Sequence, residues 1–299
     1  MSPVSLIDRL RLRMRSQLAA PFERRVRAPL RGLRNARRQY RPIFVTGAAG
    51  SGTSLVASSL AQEFECAGFV YELDSQISKR SFLSVADPDT FASVAAYERC
   101  ILPSESWSVE AGRRDLLDLF RSYGSGSGNA MVVKGPDIVL VRAAFLAECF
   151  PDAHFVLVFR DPVVNLEGWR RKWRVFGDDS MEECIRLYAS MHESFLRFAE
   201  ARGHAVLGVP YEEFVARPDE QRAAIGDRLG LAPARRRRAL ATKPDVAGMG
   251  IRNVRNNRIG VVTDANQQAY ERLGSDAAEE IRRALGELHT RLQAASFNL

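Results

Sequence analysis

Short apolar runs recur along this chain, each closed by glycine, proline or charge and followed by apolar positions at helical spacing. Ile43, Phe44 and Val45 form the first run, ended by Thr46 and Gly47, and Leu55, Val56, Leu60 and Phe64 mark the helix after it. Gly68 to Asp74 predicts a second strand ending in two acids, Glu72 and Asp74. Ala130 to Val133 predicts a third, running into Lys134, with Ile138, Val141, Phe145 and Leu146 marking the next helix. His154 to Phe159 is the fourth, closed by Arg160-Asp161-Pro162, and Pro162 is placed to open a helix through Trp169 and Trp173. Ala205 to Val209 is the fifth, leading into Tyr211-Glu212-Glu213-Phe214.

Further helices are expected near residues 89–101, 109–122, 180–203, 218–229, 264–273 and 276–295. Gly124-Ser125-Gly126-Ser127-Gly128 has the composition of a flexible linker, where a substrate lid would sit. Strands alternating with helices predict an α/β fold of three layers, with a mainly parallel central sheet and right-handed crossovers. Ligands of such sheets bind at the carboxyl ends of the strands, so the 47–54 turn, Glu72, Lys134 and Arg160 should converge.

The turn itself, Gly47-Ala48-Ala49-Gly50-Ser51-Gly52-Thr53-Ser54, has the spacing of a phosphate-binding loop. Glycines let backbone N–H groups turn inward, and the following helix adds its dipole. A nucleoside-triphosphate site needs a lysine where Thr53 stands, so this P-loop-like nucleotide-binding turn should hold a smaller anionic group. The competing reading is an ordinary tight turn of an α/β protein.

The net charge of +7 is uneven. Residues 1–41 hold twelve arginines against Asp8 and Glu23, about +10, which leaves about −3 for the rest. In that arm Leu6, Leu10, Met14 and Leu18 recur among arginines as in an amphipathic basic helix, until Pro21 and Pro29 break it. Residues 1–41 therefore predict a basic tail able to touch an anionic membrane surface, or an arm docking on protein; nucleic acid is not expected as a partner. No run of about 18 apolar residues and no secretory signal is present, and Cys66, Cys100, Cys149 and Cys184 lack paired spacing. The expectation is a cytoplasmic protein, peripheral at most on the inner membrane face, with no metal site. Residues 42–299 are expected to form one domain, with 75–128 as an acceptor-site or lid insertion. The abundance of arginine and alanine suggests a bacterial source.

Five separated elements in order resemble the sulfotransferases that use 3'-phosphoadenosine 5'-phosphosulfate (PAPS), over roughly residues 42–274. They are Gly50-Ser51-Gly52-Thr53-Ser54, the Lys134-x-Pro136 strand end, Phe150-Pro151-Asp152-Ala153 leading to Arg160-Asp161-Pro162, the Tyr211-Glu212-Glu213-Phe214 strand end, and the Arg258-Ile259-Gly260 loop. The likeness is to the bacterial and carbohydrate-type branch. It implies that the loop, with the Thr53 and Ser54 hydroxyls, holds the 5'-phosphosulfate, and that Arg160 holds the 3'-phosphate. It also implies that Arg258 and Gly260 close over that phosphate, and that Lys134 lies near the transferring group. The acceptor would be a hydroxyl or amine of a glycan, lipid or small molecule. A glutamate near the second strand serves as base in related enzymes, which points to Glu72, with Asp74 and Asp137 behind it. An exposed strand-end carboxylate is the plainer account of Glu72. None of His154, His192, His204 and His289 falls at a motif position. Two departures stand out: Gly50 where the family usually has Lys or Arg, and Gly168 where it usually has serine. The alternatives are a P-loop small-molecule kinase with a degenerate loop, and a non-catalytic membrane-associated protein of the same fold.

Overall fold

A computed structural model describes residues 39–77, 93–102, 107–173, 180–202, 206–235 and 262–295. Five parallel strands, β1 (Arg41–Thr46), β2 (Cys66–Val70), β3 (Ala130–Lys134), β4 (His154–Phe159) and β5 (Val206–Pro210), pair in the order β2-β3-β1-β4-β5. The strands read as continuous apolar runs because both faces of the sheet are covered. Alternate residues serve opposite faces: Phe44, Met131, Val133, Phe155 and Leu157 belong to one core. Ile43, Val45, Val132, Val156 and Val158 belong to the other. Phe44 stacks on Phe155 with ring centroids 5.2 Å apart, and truncating either to alanine would cost about 3–5 kcal/mol.

Helix α1 (Thr53–Glu63) covers the second face with α8 (Tyr211–Ala216) and α9 (Pro218–Arg228). The first face carries α3 (Val94–Ile101), α4 (Val109–Tyr123), α5 (Ile138–Cys149), α6 (Pro162–Gly168), α7 (Met181–Arg202) and α11 (Ser275–Ala295). Short α2 (Leu73–Gln76) follows β2, and α10 (Val262–Leu273) packs on α6. The result is the three-layer α/β arrangement. From β1 the chain crosses to the edge strand β2, comes back to set β3 between the two, then adds β4 and β5 on the other side of β1. The carboxyl end of β1, where the order reverses, is the place such sheets reserve for ligands.

Several local expectations change. β2 ends at Val70, and Glu72 leaves the strand to precede α2 with φ 59°. Tyr211–Phe214 is the start of a helix, not a strand end. After Gly168 the helix loosens into a π-helical turn, Trp169–Trp173. The Gly124–Gly128 run is not a free linker. Gly124 N–H bonds Phe120 O at 2.7 Å, and the N–H groups of Ser125 and Gly126 both donate to Ala67 O, at 2.9 and 2.7 Å. A Cβ on Gly128 would lie 1.9 Å from Glu65 O, so the glycines here serve close packing against β2 rather than mobility.

Candidate functional site

The 47–54 turn leaves β1 and enters α1 over the ends of three strands. Gly47 is required there because a Cβ would meet Val158 O at 2.0 Å, and Gly52, at φ 102°, because a Cβ would fall 2.1 Å from the Tyr211 ring. Ser51 N–H closes the turn onto Ala48 O at 2.9 Å. Outside groups then fix its shape. Ala49 O accepts from Asn165 Nδ2 at 2.8 Å and from Trp169 Nε1 at 2.6 Å, both brought by the segment that Pro162 opens. Ala49 N–H donates to Asp137 Oδ1 at 2.8 Å, and Asp137 N–H donates to Gly47 O at 3.1 Å.

The inner side of the turn suits an anion. Ser51 Oγ is buried with no hydrogen-bond partner among the described residues, and a ligand oxygen would satisfy it. Thr53 opens α1 and is buried, and the first turn of α1 contains no acid. Its leading N–H groups lie beyond the reach of intrahelical bonds, as at any helix start. Ser54 Oγ is within 3.2 Å of the Tyr71 hydroxyl.

Lys134 lies opposite Val45 in the β1–β3 register, beside the origin of the turn. Its ammonium is nearly buried, ion-paired with Glu72 and set 4.6 Å from the centre of the Tyr71 ring. Asp137 lies three residues on. It bonds the loop through one oxygen and accepts from the Tyr97 hydroxyl at 2.6 Å through the other. Burial pushes its carboxyl up to about 6, with Glu72 adding to the rise, while Tyr97, Ala49 N–H and Lys134 oppose it. Glu72 and Asp137 are the non-glycine residues with left-handed φ, 59° and 54°, among those described. Such backbone is held only where surrounding contacts impose it.

Arg160 reaches the same crevice from the end of β4. Its guanidinium stacks 4.9 Å over Tyr211, whose ring also lies against Gly52. Thus Tyr211 joins the loop to Arg160. The fork donates to Asn266 Oδ1 through Nη2, and Nε lies 3.5 Å from Glu212 Oε1. Asp161 caps α6 through Val163 N–H at 2.8 Å and accepts from the Tyr270 hydroxyl. Burial opposes the ionised form of Glu167, but bonds from Arg272 and Arg171, 2.6 Å each, outweigh it and hold the carboxyl below its usual range.

The loop residues, Glu72, Lys134 and Arg160 therefore all stand at the carboxyl end of the sheet. Arg258, Gly260 and the side chain of Asp74 lie outside the described residues. Gly50 stands on the loop at φ 91°, and an added Cβ at Gly168 would meet nothing within 4 Å. Arg170 is exposed, and Lys134 is engaged by Glu72. His192 sits in the core with Nδ1 2.8 Å from Tyr188 O, and burial lowers it to about 4. Among the described residues no group of three or more His, Cys, Asp or Glu side chains could hold a metal ion. Nor is any described helix long and apolar enough to cross a membrane.

Sequence reasoning missed Asn165, Tyr97 and Asn266. Asn165 carried a signal, a lone amide in the apolar run Val163-Val164-Asn165-Leu166, and an amide buried among apolar residues must find partners. Tyr97 and Asn266 carried none, because each acts on a residue distant in sequence.

A profile described as the Sulfotransferase family matches residues 42–234. The fold is similar to that of the sulfotransferase STF9 from Mycobacterium avium, at 15% identity over 91% of this chain and 87% of that one, with a TM-score of 0.50. It is also similar to a sulfotransferase domain from the curacin biosynthetic pathway, at 14% identity over 83% of this chain and 98% of that one, with a TM-score of 0.51. A search of curated protein sequences found no significant match.

Proposed function

This chain belongs to the Sulfotransferase family and is a sulfotransferase, and we propose that it moves the sulfuryl group of PAPS to a hydroxyl of a glycan, lipid or small molecule. The observation that carries this reading is the placement of Lys134, paired with Glu72, next to a loop that lacks acidic residues and holds the Ser51 hydroxyl, unpartnered among the described residues. Gly47, Gly50, Ser51, Gly52, Thr53 and Ser54 would receive the 5'-phosphosulfate. The α1 N-terminus and the hydroxyls supply donors to its oxygens. Arg160 would take the 3'-phosphate as a fork on a dianion, with Arg258 and Gly260 closing over it.

In the reaction the acceptor oxygen attacks sulfur, the sulfur–oxygen bond to the 5'-phosphate breaks, and adenosine 3',5'-bisphosphate leaves. Glu72 takes the acceptor proton. Lys134 offsets the negative charge that grows on the bridging oxygen and the sulfuryl oxygens, a role suited to a cation already in a water-poor site. The attraction between Glu72 and Lys134 holds the two side chains together and offsets part of the cost of taking them out of water. Residues 42–299 would constitute the catalytic domain, and residues 1–41 a basic arm for peripheral contact with an anionic membrane in the cytoplasm of a bacterium.

The test is a calorimetric titration with adenosine 3',5'-bisphosphate, with and without magnesium, beside ATP. Binding of the bisphosphate that ignores magnesium is expected. Binding of ATP that depends on magnesium, with silence toward the bisphosphate, would move the chain to phosphoryl chemistry.

A further inference from the structure

Asp137 lies inside the candidate site but is not needed by the reaction above, and it is nearly fully buried. Its backbone and side chain grip the loop at two points, Gly47 O and Ala49 N–H. Its second oxygen is held by Tyr97, which belongs to α3 and is itself buried. Helix α5, which Asp137 precedes, also holds the C-terminal end of α3. Arg142, also buried, donates Nε to Ile101 O at 2.8 Å and Nη2 to Cys100 O at 2.7 Å, capping the last carbonyls of α3. Helix α3 is thus held at its middle by Asp137, which precedes α5, and at its C-terminal end by Arg142 of α5, and Asp137 is where this clamp meets the loop.

We propose that Asp137 is a positioning residue that sets the phosphate-binding loop through Ala49 and couples that setting to helix α3 through Tyr97. The inference rests on the loop being the donor site. A left-handed φ of 54° at an aspartate is unfavourable in itself, and the three bonds to Gly47, Ala49 and Tyr97 impose it. Either form of the carboxyl satisfies the arrangement. Ionised, it accepts from both partners; protonated, one oxygen still accepts from Ala49 N–H while the other donates to the Tyr97 oxygen.

A consequence follows for charge. The groups acting on the carboxyl are Tyr97 from α3, Ala49 N–H from the loop, Glu72 from the turn after β2 and Lys134 from β3. A donor carrying several negative charges adds repulsion, and it also competes for Lys134. Proton uptake by Asp137 relieves both effects, so binding draws a proton from solution near neutral pH.

The test uses the full chain, titrated with adenosine 3',5'-bisphosphate in buffers of differing ionisation enthalpy. Tyr97→Phe, which removes only the hydroxyl that bonds Asp137, is expected to weaken binding roughly 3- to 10-fold, and Asp137→Ala roughly tenfold or more. Asp137→Asn keeps an acceptor for Ala49 and is expected to bind within about threefold of the native chain while losing the proton uptake. Native affinity in Tyr97→Phe overturns the coupling. Proton uptake that persists in Asp137→Asn overturns the charge assignment, since the phosphates' own titration is common to both proteins. If Asp137→Ala fails to fold, the other two variants still decide. A native chain that binds no bisphosphate removes the donor reading and this inference with it.

Discussion

Lys134 and Glu72 form an ion pair across 62 residues of sequence, joining the carboxyl end of β3 to the turn after β2. Neither partner is placed by its own strand alone. Lys134 stands where the β1–β3 register sets it, and Glu72 is turned back by its left-handed backbone. If the pair serves transfer, Lys134→Ala should lower turnover by roughly 10²- to 10³-fold, because the lost cation acts on charge that develops only in the transition state. Adenosine 3',5'-bisphosphate should still bind, within about tenfold. Glu72→Gln should fold and bind likewise but lower turnover by roughly 10²- to 10⁴-fold, the usual worth of a positioned base. Release of the bisphosphate from PAPS across an acceptor panel measures both. Rates within a few-fold of native in both variants would remove the two assignments.

Arg160 offers a test that separates the two phosphates. Arg160→Ala should weaken adenosine 3',5'-bisphosphate by roughly 10- to 100-fold, the worth of a charge-assisted fork. Adenosine 5'-phosphate, which lacks the 3'-group, should lose little. Equal losses for both nucleotides would mean that Arg160 supports Tyr211 and the loop rather than a phosphate, since its guanidinium stacks on that ring.

The glycines of the site divide by geometry. Gly52→Ala places a methyl 2.1 Å from the Tyr211 ring at φ 102° and should destabilise the fold by about 2–4 kcal/mol. Gly168→Ser meets open space and should change stability by no more than about 0.5 kcal/mol. Urea unfolding measures each. The serine at 168 restores the hydroxyl that the family usually has, so the same variant should bind the bisphosphate more tightly than native. Unchanged affinity there would show that the missing hydroxyl is of no account in this chain.

Asp137 and His192 oppose one another in acid. Burial lowers His192 to about 4 from 6.5, so the unfolded chain binds a proton that the fold refuses. Its contribution is intact above pH 6.5 and is lost as the pH falls toward 4. Burial lifts Asp137 from 3.8 to about 6, so the fold binds its proton first, and a penalty present above pH 6 is relieved on acidification. Each is worth roughly 3 kcal/mol, at about 1.4 kcal/mol per pH unit, and the two nearly cancel. Asp137→Asn removes only the second. Its stability should therefore fall more steeply than native between pH 6.5 and 4.5, by about 2 kcal/mol in urea unfolding. Parallel curves would discard the assignment.

Much of the fold could be read from local pattern. The runs at 43–45, 130–133 and 154–159 are apolar without alternation because helices cover both sides of the sheet, and Pro162 opens α6 where a fixed φ favours a helix start. The failures have equally local causes. Tyr211-Glu212-Glu213-Phe214 follows a strand directly, and nothing in its composition separates a strand end from the first turn of α8. The Gly124–Gly128 run has linker composition, yet its backbone is bonded to β2, since small residues serve close approach as readily as freedom.

By itself the sequence determined that a glycine turn follows an apolar strand and opens a helix without a lysine. It also determined that a lysine, an arginine and a glutamate stand at or just after strand ends, because these depend only on neighbours in the chain. Tertiary structure decided what those groups do to one another. Strand order brought β3 and β4 to either side of β1, register set Lys134 beside the turn, and packing of α5 and α3 placed Asp137 between Ala49 and Tyr97. Such relations join residues far apart in the chain, 88 positions for Ala49 and Asp137, and no local pattern encodes them because the energy that selects them comes from burying the two faces of the sheet.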